Sequence, residues 1–323
     1  MISFIKKSMN ILVTGAEGQL GRCIVDVFKY FDNENKYIFM PRDLFDLTNK
    51  EQMHEQFERF NPDIVVNCAA YTNVEKAEEN SIDAIGVNYY GVEDLVKLCE
   101  EHGIYLIQIS TDYVFNGKSS KPYKEDLPIK GPLNVYGMTK LYADRVVLSY
   151  NKGIVLRTSW LYSEYGHNFY RTMIDRIRSC KETSVVNDQI GTPTYAKDLA
   201  LFIVRDLIAS NKYKEVKGIY NFSNNGIASW YDFASMIETI YGNFRPYEPM
   251  RKDPVDIKFE VSPYPKKYIR PTTTKKYKTK AKRPMYSVLD KTKVENEFGI
   301  KIPHWSESLL QCMMTDWKIR KTY

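Results

Sequence analysis

Cysteine is sparse and scattered: five residues, Cys23, Cys68, Cys99, Cys180 and Cys312, stand singly, with no CxxC pair. That usage excludes a disulfide framework and a cysteine-built metal site, and it predicts reduced thiols in a cytoplasmic setting. Histidine is scarcer still. There are four, none at ligand spacing from another, so no metal site is predicted. No run of about 18 apolar residues occurs, which argues against a helix spanning a membrane. The opening MISFIKKSM has two lysines but no apolar core of signal-peptide length behind them, and residues 1–8 read as a short leader before a first strand at Asn10.

What is present is ordinary for a globular chain. With 43% hydrophobic and 27% charged residues over 323 positions, it has material for one large domain, or a large domain with a smaller partner. The net charge of +6 is local: residues 266–283, KKYIRPTTTKKYKTKAKR, hold nine Lys or Arg and no acid, leaving 37 basic against 40 acidic residues elsewhere. Such a block suits nucleic acid, a membrane surface, an anionic small molecule, or simply solvent. No aromatic stacking array or nucleic-acid motif accompanies it, so neither nucleic acid nor membrane is the expected partner.

Strand-like and helix-like segments alternate from the start. NILVTG (10–15), KYIFM (36–40), PDIVVNCAA (62–70), IYLIQIS (104–110) and GIVLRTSW (153–160) are short apolar runs. Between them, 19–31, 49–60, 81–102 and 134–150 carry helical periodicity. Alternation with nearly continuous apolar strands predicts an α/β fold, a doubly wound parallel sheet of Rossmann-like type covered on both faces. Ligands in such sheets bind beyond the carboxyl ends of the strands. Gly15, Ala69–Ala70, Ser110–Thr111 and Trp160 are therefore expected to border one crevice. After about residue 165 the texture becomes irregular, with a Pro- and Lys-rich region at 245–285, which predicts a smaller C-terminal substrate lobe with segments returning to the main domain.

Gly15, Gly18 and Gly21 form a G-x-x-G-x-x-G run between the first strand and first helix. Glycine there permits a tight turn and lets backbone N–H groups approach a pyrophosphate at the helix N-terminus. The bland alternative is a plain glycine-rich turn. Near the end of the second strand the sequence reads MPRDLFDL: Arg42 suits the 2′-phosphate of NADPH, while Asp43 keeps NADH open.

The segment NVYGMTK places Tyr136 and Lys140 four apart on a helix, hence on one face. Thr111 and Asp112 follow the fourth strand in QISTDYVFNG. Reduction of a ketone needs a proton donor beside the hydride source. A free tyrosine, with a pKa of about 10, cycles poorly near neutrality. A lysine cation and an oxidised nicotinamide are expected to lower it, and a three-unit drop corresponds to roughly 4 kcal/mol. Thr111 is expected to hold the carbonyl oxygen, and Lys140 also to bond the nicotinamide ribose.

On ILVTGAEGQLG, NPDIVVNCAAYTNVEKAE, STDYVFNG, NVYGMTKLYAD, RTSWLY, VVNDQIGTPTYAKDLA and AKRPMYSVLDKTK, the chain resembles the extended short-chain dehydrogenase/reductases, and among them the dTDP-4-dehydrorhamnose reductases, from about residue 9 to the C-terminus. The resemblance implies reduction of the C4 ketone of dTDP-4-dehydro-β-L-rhamnose by NADPH or NADH. Residues 1–165 would mainly hold the dinucleotide and 166–323 mainly the dTDP-sugar. It implies Thr111, Tyr136 and Lys140 as the catalytic set. Cofactor contacts are implied at Gly18, Gln19 and Leu20 with the flanking glycines, at Asp46–Leu47 near Arg42, at Ala69, Ala70 and Tyr71, and at Tyr136 and Lys140. Thr111, Asp112 and Trp160 are implied to meet substrate, and Asn88 to support the active-site water network. Trp160 as plain core, DQIGTPT (188–194) as a structural loop, and Arg283 as either a diphosphate contact or a solvated side chain remain open readings. Some relatives bind magnesium at a homodimer contact, which nothing in the sequence predicts here. A relative acting on another 4-keto sugar nucleotide, an epimerase that recycles its NAD, and a non-catalytic regulatory subunit are the alternatives.

Three features depart from the family pattern. Leu141-Tyr142-Ala143-Asp144 stands where Leu-x-Gly-Glu is usual. Ile109 replaces an aromatic residue, and the region 243–268 is longer than expected.

Overall fold

In the computed structural model, which describes residues 8–243 and 267–321, the first five apolar runs lie side by side as parallel strands. They are β1 (Asn10–Thr14), β2 (Lys36–Met40), β3 (Ile64–Asn67), β4 (Tyr105–Thr111) and β5 (Gly153–Thr158). A sixth strand, β6 (Gly218–Asn221), arrives from far along the chain and completes the order β6-β5-β4-β3-β1-β2. Register puts Thr14 beside Asn67, Asn67 beside Gln108, and Thr111 beside Thr158, so the carboxyl ends expected to border one crevice share one edge. Of the leader only Ser8, and of the long region 243–268 only its two ends, fall within the described residues; Lys266 lies outside them.

Alternate residues of each strand serve opposite layers. Ile11 and Val13 pack under α1 (Gln19–Phe31) and α5 (residues 196–209), while Leu12 faces α2 (Lys50–Phe60), α3 (residues 81–102) and α4 (Val135–Ser149). Both faces are therefore apolar and covered, as a parallel sheet requires. Local chemistry sets the helix ends. Asn49 caps α2 by accepting from Gln52 N, and Asn134 caps α4 by accepting from Gly137 N at 2.7 Å. Asn61 and Gly103 close α2 and α3 in the left-handed region.

The spacing over 81–102 predicts an uninterrupted α-helix; the structure instead inserts a π-helical stretch, Gly86–Tyr90. Such insertions concentrate at functional sites, and this one contains the buried Asn88.

Beyond β5, helices Phe169–Arg178, Trp230–Asn243 and Trp305–Lys321 share a second core built on Tyr162, Tyr170, Met173, Phe233, Ile237 and Leu309. Strand Ile269–Thr272, inside the basic segment, pairs in parallel with Thr183–Val186.

Two glycines of α3 have opposite roles. A Cβ at Gly91 would stand 2.5 Å from the Leu47 carbonyl oxygen, whereas one at Gly86 meets nothing within 4 Å. Gly91→Ala should destabilise the fold by about 1–3 kcal/mol through overpacking. Gly86→Ala, at a helical φ of −53°, should instead stabilise it by up to about 1 kcal/mol. Urea midpoints of the two variants check both signs.

Candidate active site

The turn from β1 to α1 is set by steric limits. Gly15 has φ +61°, and a Cβ there would strike the Ala69 backbone at 2.8 Å. A Cβ at Gly21 would fall 2.6 Å from the Gly15 carbonyl oxygen. Gly18 caps α1 with no side-chain bond, and the first turn holds no acid. The N–H groups of Gln19, Leu20 and Gly21 precede the first intrahelical acceptor and point out of the helix start. An uncapped, acid-free N-terminus behind a side-chain-free turn fits the pyrophosphate of a dinucleotide. Ala16 N donates to Met40 O at 3.1 Å, which joins this turn to the end of β2. Just beyond, Arg42 is exposed and pairs with Asp46 at 3.2 Å, while Leu47 is buried beneath Gly91.

A buried polar ladder crosses the strand ends. Thr14 Oγ1 donates to Asn67 Oδ1 at 2.6 Å, Asn67 Nδ2 to Gln108 Oε1 at 2.8 Å, and Gln108 Nε2 to Ile109 O at 2.9 Å. Ala69 N donates to Thr14 Oγ1 at 3.2 Å, fixing the start of the Ala69-Ala70-Tyr71 loop. Asn88 grips the far end of that loop, accepting from Tyr71 N at 2.8 Å and donating to Tyr71 O at 3.0 Å. Its amide also donates to Thr139 Oγ1 at 3.1 Å, one residue before Lys140. Asn88 thus ties the loop after β3 to α4.

Tyr136 is half-buried at the start of α4, edge-on to Tyr113 with ring centroids 6.0 Å apart. Burial pushes its phenol up to about 12; the neighbouring Thr111 hydroxyl works the other way, and the Asp112 and Asp144 carboxylates add to the rise. The sequence predicts a phenol lowered by Lys140 together with an oxidised nicotinamide. The protein alone does not provide that: Lys140, one turn along, sends its Nζ to Ile109 O at 2.6 Å. Burial lowers the Lys140 ammonium to about 8, partly offset by Asp144 and Cys68. Thr111 sits at the end of β4, its hydroxyl donating to Asp112 Oδ1 at 3.2 Å. Asp112 is almost wholly buried, which pushes its carboxyl up to about 7 against the pull of Ser287 and Thr111. Thr111 and Asp112 at the end of β4, and Tyr136 and Lys140 on the first turns of α4, therefore gather at the carboxyl edge of the sheet, the same edge that carries the glycine turn after β1.

Trp160 follows β5 with φ +47°, a rare conformation for so large a residue. It is 9% exposed and stacks on Trp230 with centroids 3.7 Å apart and planes 7° from parallel. Gly191 lies so close to the indole that a Cβ would come within 2.5 Å. The DQIGTPT loop makes internal contacts: Asp188 accepts from Thr274 N and Oγ1, at 2.9 and 2.7 Å, and Gln189 donates to Thr274 Oγ1. Arg283 pairs with Glu75 at 2.6 Å, and Lys280 with Glu79. Sequence reasoning did not single out Trp230, Tyr113, Glu75 or the Asp144–Arg157 pair. For that pair a signal existed: Asp144 continues the Tyr136–Lys140 spacing, and Arg157 interrupts an apolar strand. Among the described residues no group of three or more His, Cys, Asp or Glu could hold a metal ion.

A family model described as "RmlD substrate binding domain" matches residues 9–317. The dTDP-4-dehydrorhamnose reductase of Aggregatibacter actinomycetemcomitans is 36% identical over 305 residues, covering 93% of this chain and 96% of that one. The dTDP-4-keto-6-deoxy-D-glucose reductase of Streptomyces niveus is 33% identical over 303 residues, covering 93% and 95%. Among solved structures, dTDP-4-dehydrorhamnose reductase from Bacillus anthracis in complex with NADP superposes with a TM-score of 0.82 at 31% identity, over 96% of this chain and 100% of that one. The glycine turn, the strand-edge cluster and the second core all lie within the matched span, and the chain belongs to the RmlD substrate-binding-domain family.

Proposed function

We propose that this chain is an NAD(P)H-dependent oxidoreductase that reduces the C4 ketone of dTDP-4-dehydro-β-L-rhamnose to dTDP-L-rhamnose. The observation that carries the reading is the meeting of Thr111 and Tyr136 at the strand edge, with Lys140 one turn further along α4, in a chain that matches such reductases along nearly its whole length.

A reduced nicotinamide supplies the hydride when the cofactor is bound. Gln19, Leu20 and Gly21 would hold the pyrophosphate with backbone N–H groups, and Ala69, Ala70 and Tyr71 would form the adjoining wall. Arg42 would meet the adenosine ribose, its guanidinium suiting a 2′-phosphate. Tyr136 donates its phenolic proton to the carbonyl oxygen as negative charge develops there. A phenol held near 12 stays protonated at neutral pH, which is the form reduction consumes. Thr111 orients the same oxygen through its hydroxyl. Lys140, with an ammonium anchored on Ile109 O, keeps further N–H donors for the nicotinamide ribose and for the phenolate left behind.

We assign the sugar nucleotide to the lobe built from residues after about 165, with Asp112 and Trp160 on its near side. Within the basic segment, Lys280 and Arg283 already have acidic partners, which weakens a nucleic-acid reading and supports a structural share for that charge. No helix among the described residues is long and apolar enough to cross a membrane, and the five free cysteines support a reducing, cytoplasmic setting. The similarity to the Streptomyces niveus enzyme favours, as the second reading, a reductase of the same type acting on another 4-keto sugar nucleotide.

The test follows NADPH absorbance with dTDP-4-dehydro-β-L-rhamnose. Tyr136→Phe should lower kcat by about 10²–10⁴-fold, the range for loss of a positioned proton donor. Unchanged turnover would overturn the mechanism, and turnover only with a different 4-keto sugar would favour the second reading. A protein that purifies with tightly held NAD and consumes no NADPH would point instead to an epimerase. Arg42→Ala should raise KM for NADPH roughly tenfold, the worth of one charge-assisted bond, and leave KM for NADH unchanged.

A further inference from the structure

Tyr136, Lys140 and Asp144 follow one another at intervals of four along α4 and so form one stripe facing the sheet. Beneath the stripe, Ser110 of β4 and Arg157 of β5 are register partners. Asp144 Oδ2 accepts from Arg157 Nε at 3.0 Å, with both side chains almost wholly buried. Lys140 is 2% exposed and bonds the Ile109 carbonyl, so its ammonium and the Asp144–Arg157 pair lie on one face that water does not reach. Lys140 and Asp144 each influence the other's protonation.

We propose that Asp144 is a positioning residue for Lys140: fixed by Arg157 one helical turn along the same buried face, its carboxylate favours the charged ammonium that bonds the Ile109 carbonyl. The proposal rests on the role given to Lys140 above. The physical need is clear. A buried amine surrenders its proton unless a negative group is near. The charged and titratable groups around Lys140 are Asp144 and the Tyr136 phenol on its own helix, Arg157 on β5 beyond Asp144, and Cys68 just after β3; burial keeps the phenol and the thiol neutral by pushing each up to about 12. Asp144 is thus the neighbour that carries negative charge. Around Asp144 itself stand Arg157 on β5, the Ser110 hydroxyl on β4, and Lys140; burial raises its own pKa, and Arg157 is the largest influence opposing that rise. Arg157 guards the carboxylate, and the carboxylate guards the ammonium.

The sign follows. Without the Asp144 charge, the Lys140 ammonium loses its proton at lower pH. A step that needs the ammonium then fails earlier as pH rises.

The direct measurement is titration of ¹³Cε-labelled lysine by NMR on the protein without cofactor, the Lys140 resonance being assigned by its loss in Lys140→Arg. Asp144→Asn should move that titration down by about one unit or more, a tenfold weaker hold on the proton. Asp144→Glu, which keeps the carboxylate on a longer side chain, should leave it near the wild-type value. Because Asp144→Asn strands the Arg157 cation and risks unfolding, the double variant Asp144→Asn/Arg157→Gln removes both charges together and should show the same downward shift. In kinetics, the alkaline limb of the kcat/KM profile should move down in step for the Asn variants and not for Asp144→Glu. A Lys140 titration that stays put in a folded Asn variant would overturn the proposal, since a merely structural ion pair would not move it. That outcome is separable from failure of the catalytic reading: a shifted lysine with Tyr136→Phe fully active would leave the pairing standing and remove the reaction.

Discussion

Helix α4 is held on its sheet by charges sealed from water, and the candidate site depends on that seat. Two cations, Lys140 and Arg157, and one carboxylate, Asp144, share the space between α4 and strands β4 and β5. Buried ions persist only when paired and hydrogen-bonded, so each constrains the others' positions. Sliding or rotating α4 would leave at least one of them unpaired. The seat therefore helps fix where Tyr136 stands, one turn before Lys140 on α4. The short apolar residues of this helix, such as Ala143 and Val147, complete the contact without defining its register.

The seat is continuous with the strand-end ladder. The Ile109 carbonyl receives both the Lys140 ammonium and the Gln108 amide, and Gln108 is the last member of the chain of side chains that begins at Thr14. Thr14 also accepts from Ala69 N. The start of the glycine turn, the loop after β3 and Lys140 are thus joined by one hydrogen-bonded path through the sheet. Asn88 adds a second connection on the outer side, made possible by the π-helical stretch that carries it.

Much of this was readable from residue order. The five strands and the helices between them follow from apolar runs and helical spacing, because a covered parallel sheet leaves strand faces no alternative to being apolar. The glycines at 15, 18 and 21 announced their turn, although their tightest contacts are with the protein's own backbone rather than with open space. Three things were not legible. The π-helical stretch differs from an α-helix by one residue per turn, a change that periodicity cannot resolve over five positions. Strand β6 is four residues long and lies far from its neighbours in sequence, so only tertiary pairing reveals it. The third is the acceptor of the Lys140 ammonium, which was expected to act, together with an oxidised nicotinamide, on the Tyr136 phenol. Spacing gives proximity along a helix but not which acceptor a flexible ammonium selects, and here it selects a main-chain carbonyl.

Asn134 caps α4 and at the same time donates to the Lys282 carbonyl, 148 residues later. Glu75 and Glu79, on the short helix before α3, likewise wait for Arg283 and Lys280. During synthesis the amino-terminal half emerges first and has five of the six strands to begin assembling. The rim over Tyr136 remains unfinished until nearly nine-tenths of the polypeptide has been made, so a nascent chain can own its sheet well before it owns a finished rim.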